Sequence, residues 1–532
     1  MDIGANTTKR LSALKTLRSP YASTWEDCFK YSYPLRSKGF FGDVSSVSDD
    51  GRARRADLLD STTTESVRIM VSHIIDGMVP ANALWFGLDV GEESDEEKRW
   101  LYDSAKFIWQ NIHNSNFDSE IFEAFIDAVC AGWFVLYIDE AEQGGFAFQQ
   151  WPIQQCYIAC SKQGMPVDTI YREFELTAAQ AVSQYGDDKV SPDIRKCMED
   201  NKPDEKFTFC HAIYPRSTYV AGARLAKNLP FASVHTEVKT KTVVRESGYH
   251  EFPCVCPRWM KIPGSDYAVG AVFDALPDSK SVNEIKRLMH ANLDIAVGGL
   301  WIAEDDGVLN PRNIKIGPRR VIVANSVDSM KELRSSADFN TGFVSEERIQ
   351  AQIKRVMMAD LLPPLEGQPR TAAEIYARLA HIRKMLGPIF GRLQSEFLKP
   401  MIERCFGIAF RAGVLGAPPE SLANRSYTIK YMSPLARSQK LEEVAAIDQY
   451  VAGAVMIAEI QPEILDNIDF DAAMRYKAEA LGVPTQIVPD QDTVQARRES
   501  RKAEQQQQLD QMQAREVMGE AGKMAAKKAI GV

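Results

Sequence analysis

Two stretches of the sequence have the cysteine and histidine spacing from which metal sites are built. His250-Glu251 opens like the helix of a zinc protease, but the position four after the histidine is Cys254, and Pro253 forbids the helix that would align the ligands. Cys254 and Cys256 beside His250, and Cys156 with Cys160, are the remaining thiol sets, a spacing shared with buried structural cysteines. For phosphate chemistry the nearest pattern is Gly519-Glu520-Ala521-Gly522-Lys523-Met524. It has the wrong spacing for a phosphate-cradling loop and lacks the hydroxyl that holds magnesium, so ATP hydrolysis is not expected. No Gly-x-Ser-x-Gly elbow occurs, and none of the seven histidines stands in an acid–base constellation. The chain therefore reads as a non-enzyme with no catalytic residue, cofactor or metal.

Composition narrows the class further. With 532 residues, 45% apolar and 25% charged, this is a folded protein of roughly three to four structural units. Asp and Glu number 72 against 63 Lys and Arg, and a net charge of −9 argues against affinity for nucleic acid won by neutralising phosphates. The nine cysteines (Cys28, Cys130, Cys156, Cys160, Cys197, Cys210, Cys254, Cys256 and Cys405) form no paired framework and read as free thiols of a reducing compartment. The longest strongly apolar stretch, residues 128–138, falls short of the ~20 residues of a membrane span, and residues 1–18 are polar. Neither anchor nor export signal is expected.

The elements that must position any site divide at about residue 277. Before it, helix and strand signals mix. Thr62-Thr63-Thr64-Glu65 has the spacing of a capping box and opens a helix towards Gly77, with Val67, Ile69, Met70, Ile74 and Ile75 on its buried side. Trp109, Ile112, Phe122, Phe125, Ile126 and Val129 mark two more helices, and residues 133–138 suit a strand. Short strands follow to Phe174, Thr177-Ala178-Ala179-Gln180 caps a short helix, and residues 207–250 alternate as further strands. The natural reading is an α+β domain.

After it, helices dominate. Ser281-Val282-Asn283-Glu284 is read as capping a helix that ends at Gly298-Gly299, and its apolar residues cover a sector of about 200°, wider than one core needs. A helix buried in an ordinary domain would show the same width. Residues 300–343 read as short strands and turns, at residues 301–303, 313–316 and 320–324. A helix follows from Ser345 to about Asp360, with Ile349, Ile353, Val356 and Met357 as its stripe. Leu361, Leu362, Pro363, Pro364, Leu365, Glu366, Gly367, Gln368, Pro369 and Arg370 cannot be regular structure. Thr371-Ala372-Ala373-Glu374 then caps a long helix that Pro388 and Pro400 should kink, residues 427–431 suit a strand, and residues 439–460 and 462–481 are helical. The glutamine-rich tail reads as a solvated helix or a partly disordered arm.

Six stretches in this order resemble the portal, or head-to-tail connector, proteins of short-tailed, T7-like bacteriophages. They are Asp60-Ser61-Thr62-Thr63-Thr64-Glu65 with the helix to Trp85-Phe86; Tyr171-Arg172-Glu173-Phe174; Ala275-Leu276-Pro277-Asp278 with Asn283; Leu361-Leu362-Pro363-Pro364; Thr371-Ala372-Ala373-Glu374-Ile375; and Leu481-Gly482-Val483-Pro484. Such proteins are rings of twelve identical subunits at one capsid vertex. The resemblance implies an α+β ring-forming subunit: a wing over 1–277, a stem helix over 278–299, a clip over 300–344, a second stem helix over 345–360 and a channel loop over 361–370. A kinked helix and strand return to the wing over 371–432, and a helical crown over 433–492 precedes the tail at 493–532.

In that architecture the stem contacts between subunits fall to Val282, Ile285, Leu288, Met289 and Leu293, and docking at the clip to Arg312, Lys315, Arg319 and Arg320. A second basic patch, Arg52, Arg54 and Arg55, lies near the start; either patch reads equally well as a solvated face. The implied partners are further copies of the chain, major capsid and scaffolding proteins, the large terminase subunit, tail adaptor proteins, and double-stranded DNA passing without sequence recognition, with no membrane. The implied location is the virion, after synthesis in the host bacterial cytoplasm. Twelve chains at −9 would carry roughly −108, which suits a conduit through which DNA must slide. An enzyme with an α+β catalytic domain would need a constellation the sequence lacks, and a coiled-coil scaffold would need heptads that the prolines interrupt.

Overall fold

The computed structural model describes residues 2–41, 55–90, 95–162, 164–220, 225–298, 300–303, 330–333, 339–360, 387, 389–422, 428–431, 434–458, 461–481, 488 and 493–507. In chain order the elements are α1 (Ile3–Lys30), α2 (Thr62–Met78), β1 (Phe86–Asp89), α3 (Asp95–His113), α4 (Phe117–Ala131), β2 (Val135–Glu140), β3 (Phe146–Trp151), β4 (Cys156–Ala159) and β5 (Thr169–Thr177). Next come α5 (Ala178–Tyr185), α6 (Pro192–Glu199), β6 (Lys206–Pro215), β7 (Phe231–Glu237), β8 (Val243–Tyr249), β9 (Cys254–Val255), β10 (Met260–Lys261), β11 (Ala268–Val269) and α7 (Ala271–Gly298). The last are β12 (Leu300–Ala303), β13 (Met330–Leu333), α8 (Phe339–Val356), α9 (Lys399–Arg411), β14 (Thr428–Tyr431), α10 (Pro434–Ala458) and α11 (Phe470–Leu481). The mixture of helices and sheets is the expected α+β class.

The chain divides into two units, one of residues 1–81 with 107–416 and one of 82–106 with 417–532. In the first, an antiparallel five-stranded sheet runs β4-β5-β6-β7-β8 and a three-stranded sheet runs β3-β2-β9. One face of the larger sheet packs Tyr157, Tyr171, Cys210 and Ala212 under Leu11 and Leu14 of α1, which burial of apolar surface holds in place. At its other end α5 and α6 close over Phe207, Phe209 and Val244. Helix α4 is buried over its whole last turn and a half because it packs on α1, α2, α7 and strands at once. It ends at Gly132 in the left-handed region (φ +92°), where a Cβ would stand 2.2 Å from the backbone of Val269, so both conformation and space require glycine. In the second unit β1 pairs with β14, and α10 packs on α11 with Tyr476 bonding Glu443 and Lys477 pairing Asp448. Residues 493–507 are helical, and Arg498 donates to both carboxylate oxygens of Asp471 at 2.6 and 2.8 Å.

Several expectations change. The Thr177–Gln180 capping box forms in full, whereas the one at Thr62 does not: Ser61 is the N-cap without a side-chain bond, and Asp60 accepts the Thr62 N–H instead. Helix α7 does not open at Ser281. It begins at Ala271, runs through Pro277, and Ser281 donates back to the Pro277 carbonyl inside the helix. The second stem helix likewise starts earlier, at Phe339, and strand β13 was not anticipated. The long polar-looking helix α1 is also new. Pro400 sits at the start of α9 directly after a π-helical turn, Gln394–Leu398, in which the Lys399 N–H reaches the Gln394 carbonyl. The widened turn accommodates the proline's missing donor. Residues 82–106 cluster with the C-terminal unit, apart from the rest of 1–277. Among the described residues all nine cysteines are free, and no helix is long and apolar enough to cross a membrane.

Candidate functional site

Helices α7 and α8, which the resemblance assigns to the stem, pack against each other, and β12 pairs antiparallel with β13 in the register Leu300↔Leu333 to Ala303↔Met330. The helices approach closely at Gly342, where a Cβ would lie 3.2 Å from Sδ of Met289. Ile353 of α8, Met357 just beyond its end and Val282 of α7 are buried within the chain. These contacts fix the root of the stem and leave its flank uncovered.

The root is clamped by residues 57–63, the segment leading into α2. Asn283 Oδ1 accepts the N–H groups of Leu59 and Asp60 at 2.8 and 3.3 Å, and its Nδ2 donates to the Asp57 carbonyl at 3.2 Å. Thr63 Oγ1 and Ser279 Oγ are 2.7 Å apart. Lys286 Nζ lies 2.9 Å from Asp60 Oδ2 and 3.1 Å from Glu346 Oε1, while Gln350 Nε2 donates to the same Asp60 oxygen at 2.8 Å. Burial by itself would raise the Asp60 carboxyl, but the hydrogen bonds from Lys286, Gln350 and Thr62 outweigh it and hold the group below its ordinary value. Burial works against the Lys286 ammonium, and Asp60 and Glu346 raise it nevertheless. The network ties α7 and α8 to the segment that leads into α2.

Of the residues expected at a stem contact, Val282 is buried inside the chain and Ile285 and Met289 are partly buried, whereas Leu288 and Leu293 are each 49% exposed. Phe343 and Val344 on α8 are exposed as well. At 100° per residue Leu288 stands about 120° round the helix from Val282, away from the face that meets the wing. Leu293 falls about 140° round from Leu288, so the exposed leucine, phenylalanine and valine side chains are spread round the two helices, apolar surface of the kind that a protein contact covers. The clip residues Arg312, Lys315, Arg319 and Arg320, the loop Leu361–Arg370, and Arg52 and Arg54 of the second patch lie outside the described residues.

Among the described residues no group of three or more His, Cys, Asp or Glu is placed to hold a metal ion. Cys254 and Cys256 are buried, and burial pushes both thiols well up, away from the thiolate a metal would bind. The clamp itself was missed in the sequence. Its signal was there as two of the resembling stretches, Asp60–Glu65 and Ala275–Asp278 with Asn283, which the fold brings together.

Residues 5–488 match the family described as bacteriophage head to tail connecting protein. The chain is 27% identical over 527 residues to a probable portal protein of Bordetella phage BPP-1, covering 94% of this chain and 91% of that protein. It is 27% identical over 540 residues to the portal protein of Salmonella phage epsilon15, covering 98% and 94%. A third relative, the portal protein of Escherichia phage T7, is 20% identical over 412 residues, covering 73% and 71%. The match covers most of the chain, and the chain belongs to the bacteriophage head to tail connecting protein family.

Proposed function

We propose that this chain is a portal subunit: a homo-oligomeric ring, of twelve copies, at one vertex of a phage capsid, through which double-stranded DNA is packaged and later ejected. The observation that carries the reading is the exposed apolar surface of Leu288, Leu293, Phe343 and Val344, spread round two helices that Lys286 ties to Asp60. A neighbour on each side would cover it, as a closed ring of heterologous contacts requires. In this reading the clip arginines Arg312, Arg319 and Arg320 with Lys315 dock the terminase large subunit and then the tail adaptors, the crown faces the capsid interior, capsid and scaffolding proteins grip the wing, and residues 361–370 line the channel. The identities of the portal relatives and the net charge of −9 support it.

Mass photometry of the purified chain tests the reading. Twelve chains of 59.5 kDa form a particle of about 714 kDa, seen in negative stain as a ring with a central hole. Only monomer or dimer across a wide range of concentration and salt would remove it. Replacing Arg319 and Arg320 by glutamate should keep the ring and weaken docking, since exposed charges steer partners more than they hold a fold. Wild-type packaging by that double variant would reduce the patch to a solvated face.

A further inference from the structure

A single in-register row crosses all five strands of the larger sheet. Cys156 pairs with Arg172, Arg172 with His211, His211 with His235 and His235 with Arg245. Alternation along the strands puts the row on the face opposite α1, where the three-stranded sheet lies across it: Trp151 of β3 is 5.5 Å from His211, ring centre to ring centre, and stacks on Tyr137 of β2 at 4.8 Å. Between the two sheets is a cavity of about 300 Å³, a size that accepts a small ligand.

Like charges directly opposite in a sheet repel, so four cationic residues in one row call for an explanation. The histidines avoid the problem by being neutral. Their rings stack at 3.8 Å, His211 Nε2 lies 2.9 Å from Ser233 Oγ, and His235 Nδ1 lies 3.0 Å from the Tyr185 hydroxyl. Arginine has no such escape.

Elsewhere the fold satisfies its buried guanidinium groups. Arg18 donates to the carbonyls of Ile153, Gln154, Cys156 and Phe40; Arg258 grips both oxygens of Glu396 at 2.8 and 2.9 Å; Arg404 pairs with Glu251 at 3.0 Å. Arg172 is treated differently. Its Nε donates to Gln155 Oε1 at 3.1 Å, and the rings of Trp151 and Phe174 lie 4.8 and 5.1 Å from its guanidinium carbon. The two terminal nitrogens, the fork that binds carboxylates and phosphates in a plane, meet no acidic side chain among the described residues, and neither does Arg245 across the row. One carboxylate lines the cavity, Asp139, and it is engaged by the Tyr137 hydroxyl and by Arg404 at 3.6 Å. Cavity, aromatic walls, an Arg172 fork without an acidic partner among the described residues and a solvent-facing Arg245 therefore coincide.

We propose that this cavity binds a small oxyanion, a carboxylate or phosphate group, clasped between the Arg172 fork and Arg245. The test uses the full chain at pH 7.5 and fixed ionic strength, titrated separately with sodium phosphate, sodium acetate and sodium chloride, and followed by thermal unfolding and tryptophan fluorescence. Phosphate or acetate, or both, should raise the midpoint saturably and change the fluorescence, with chloride doing neither; which of the two saturates at lower concentration identifies the group. Arg245→Gln, at an exposed position, should fold as wild type and weaken the effect at least tenfold. Arg172→Lys, which keeps the charge and removes the fork, should weaken it too. Oxyanions acting no more strongly than chloride, or Arg245→Gln titrating like wild type, would overturn the proposal.

Discussion

Lys286 on α7 places its ammonium 2.9 Å from the buried carboxylate of Asp60, at the head of α2, and within 3.1 Å of Glu346 on α8. One side chain thereby joins three helices distant in sequence. Asp60 is 3% exposed at its side chain and Lys286 is 23% exposed, so the pair is shielded enough for its loss to matter. The contact ties α7 and α8 to the segment that leads into α2.

Removing the ammonium while keeping the stem of the side chain isolates this contribution. Lys286→Met should cost about 2 kcal/mol in chemical unfolding, because Asp60 is left buried with only Gln350 and Thr62 as donors. Lys286→Met with Asp60→Asn should recover part of the loss. A single variant as stable as wild type would mean that the pair is incidental to the clamp.

The histidine row predicts a pH dependence. Burial lowers His211 well below the ordinary 6.5 and His235 to about 3, with neighbouring cations adding to both shifts, and burial lowers His73 as well. Below pH 6.5 the unfolded chain binds protons that the folded chain refuses, so stability is full above that value and falls as the pH drops towards 3. At pH 5 each buried histidine of the row should cost about 2 kcal/mol relative to pH 7.5. Unfolding midpoints measured between pH 7.5 and 5, above the range in which Asp60 and Glu251 titrate, check this. His235→Gln should remove about 2 kcal/mol of the loss at pH 5, and an unchanged slope would count against the row.

Much of this architecture was legible in the residues, and the failures have physical causes. Thr177 and Gln180 could satisfy one another locally, so their capping box formed; Thr62 had Asp60 two residues away competing for its N–H, so that one did not. Helix α1 hid because its buried stripe, Gly4, Thr7, Leu11, Leu14, Arg18, Ala22, Trp25 and Phe29, has the right period but includes glycine, threonine and arginine, which a count of apolar residues passes over. Pro277 suggested a boundary, yet α7 runs through it because its flanks, Val272, Ala275, Ser279 and Val282, are all buried by the wing. The five-residue row could not be seen at all, since it depends on the register of strands up to 89 positions apart, from Cys156 to Arg245.

The segment Leu361–Arg370 lies outside the described residues; three prolines and a glycine keep it from regular structure, and its proposed place in the channel is what the portal resemblance implies. Deleting Glu366–Gln368 should leave rings intact and incorporated into procapsids, with the defect appearing as heads that fail to fill or to retain DNA. Normal yields of full infectious particles would take the loop out of the mechanism, and failure to form rings would make it a structural hinge.

The stem flank gives the most direct test of assembly. Leu288 is half exposed, on the side of α7 turned away from Val282, and makes no contribution to the clamp of Asn283, Lys286 and Asp60. Leu288→Glu should therefore leave the unfolding midpoint of the isolated chain within about 0.5 kcal/mol of wild type, as surface substitutions generally do. In a ring the same change buries a carboxylate at every junction without a partner, a cost of several kcal/mol repeated around the circle. Mass photometry should then show the particle shifted to smaller species at concentrations where wild type is closed, and Leu288→Met should assemble normally because it keeps the apolar volume. Full rings with glutamate at position 288 would move the contact elsewhere on the stem, and an unfolded chain with glutamate would place Leu288 in the subunit core.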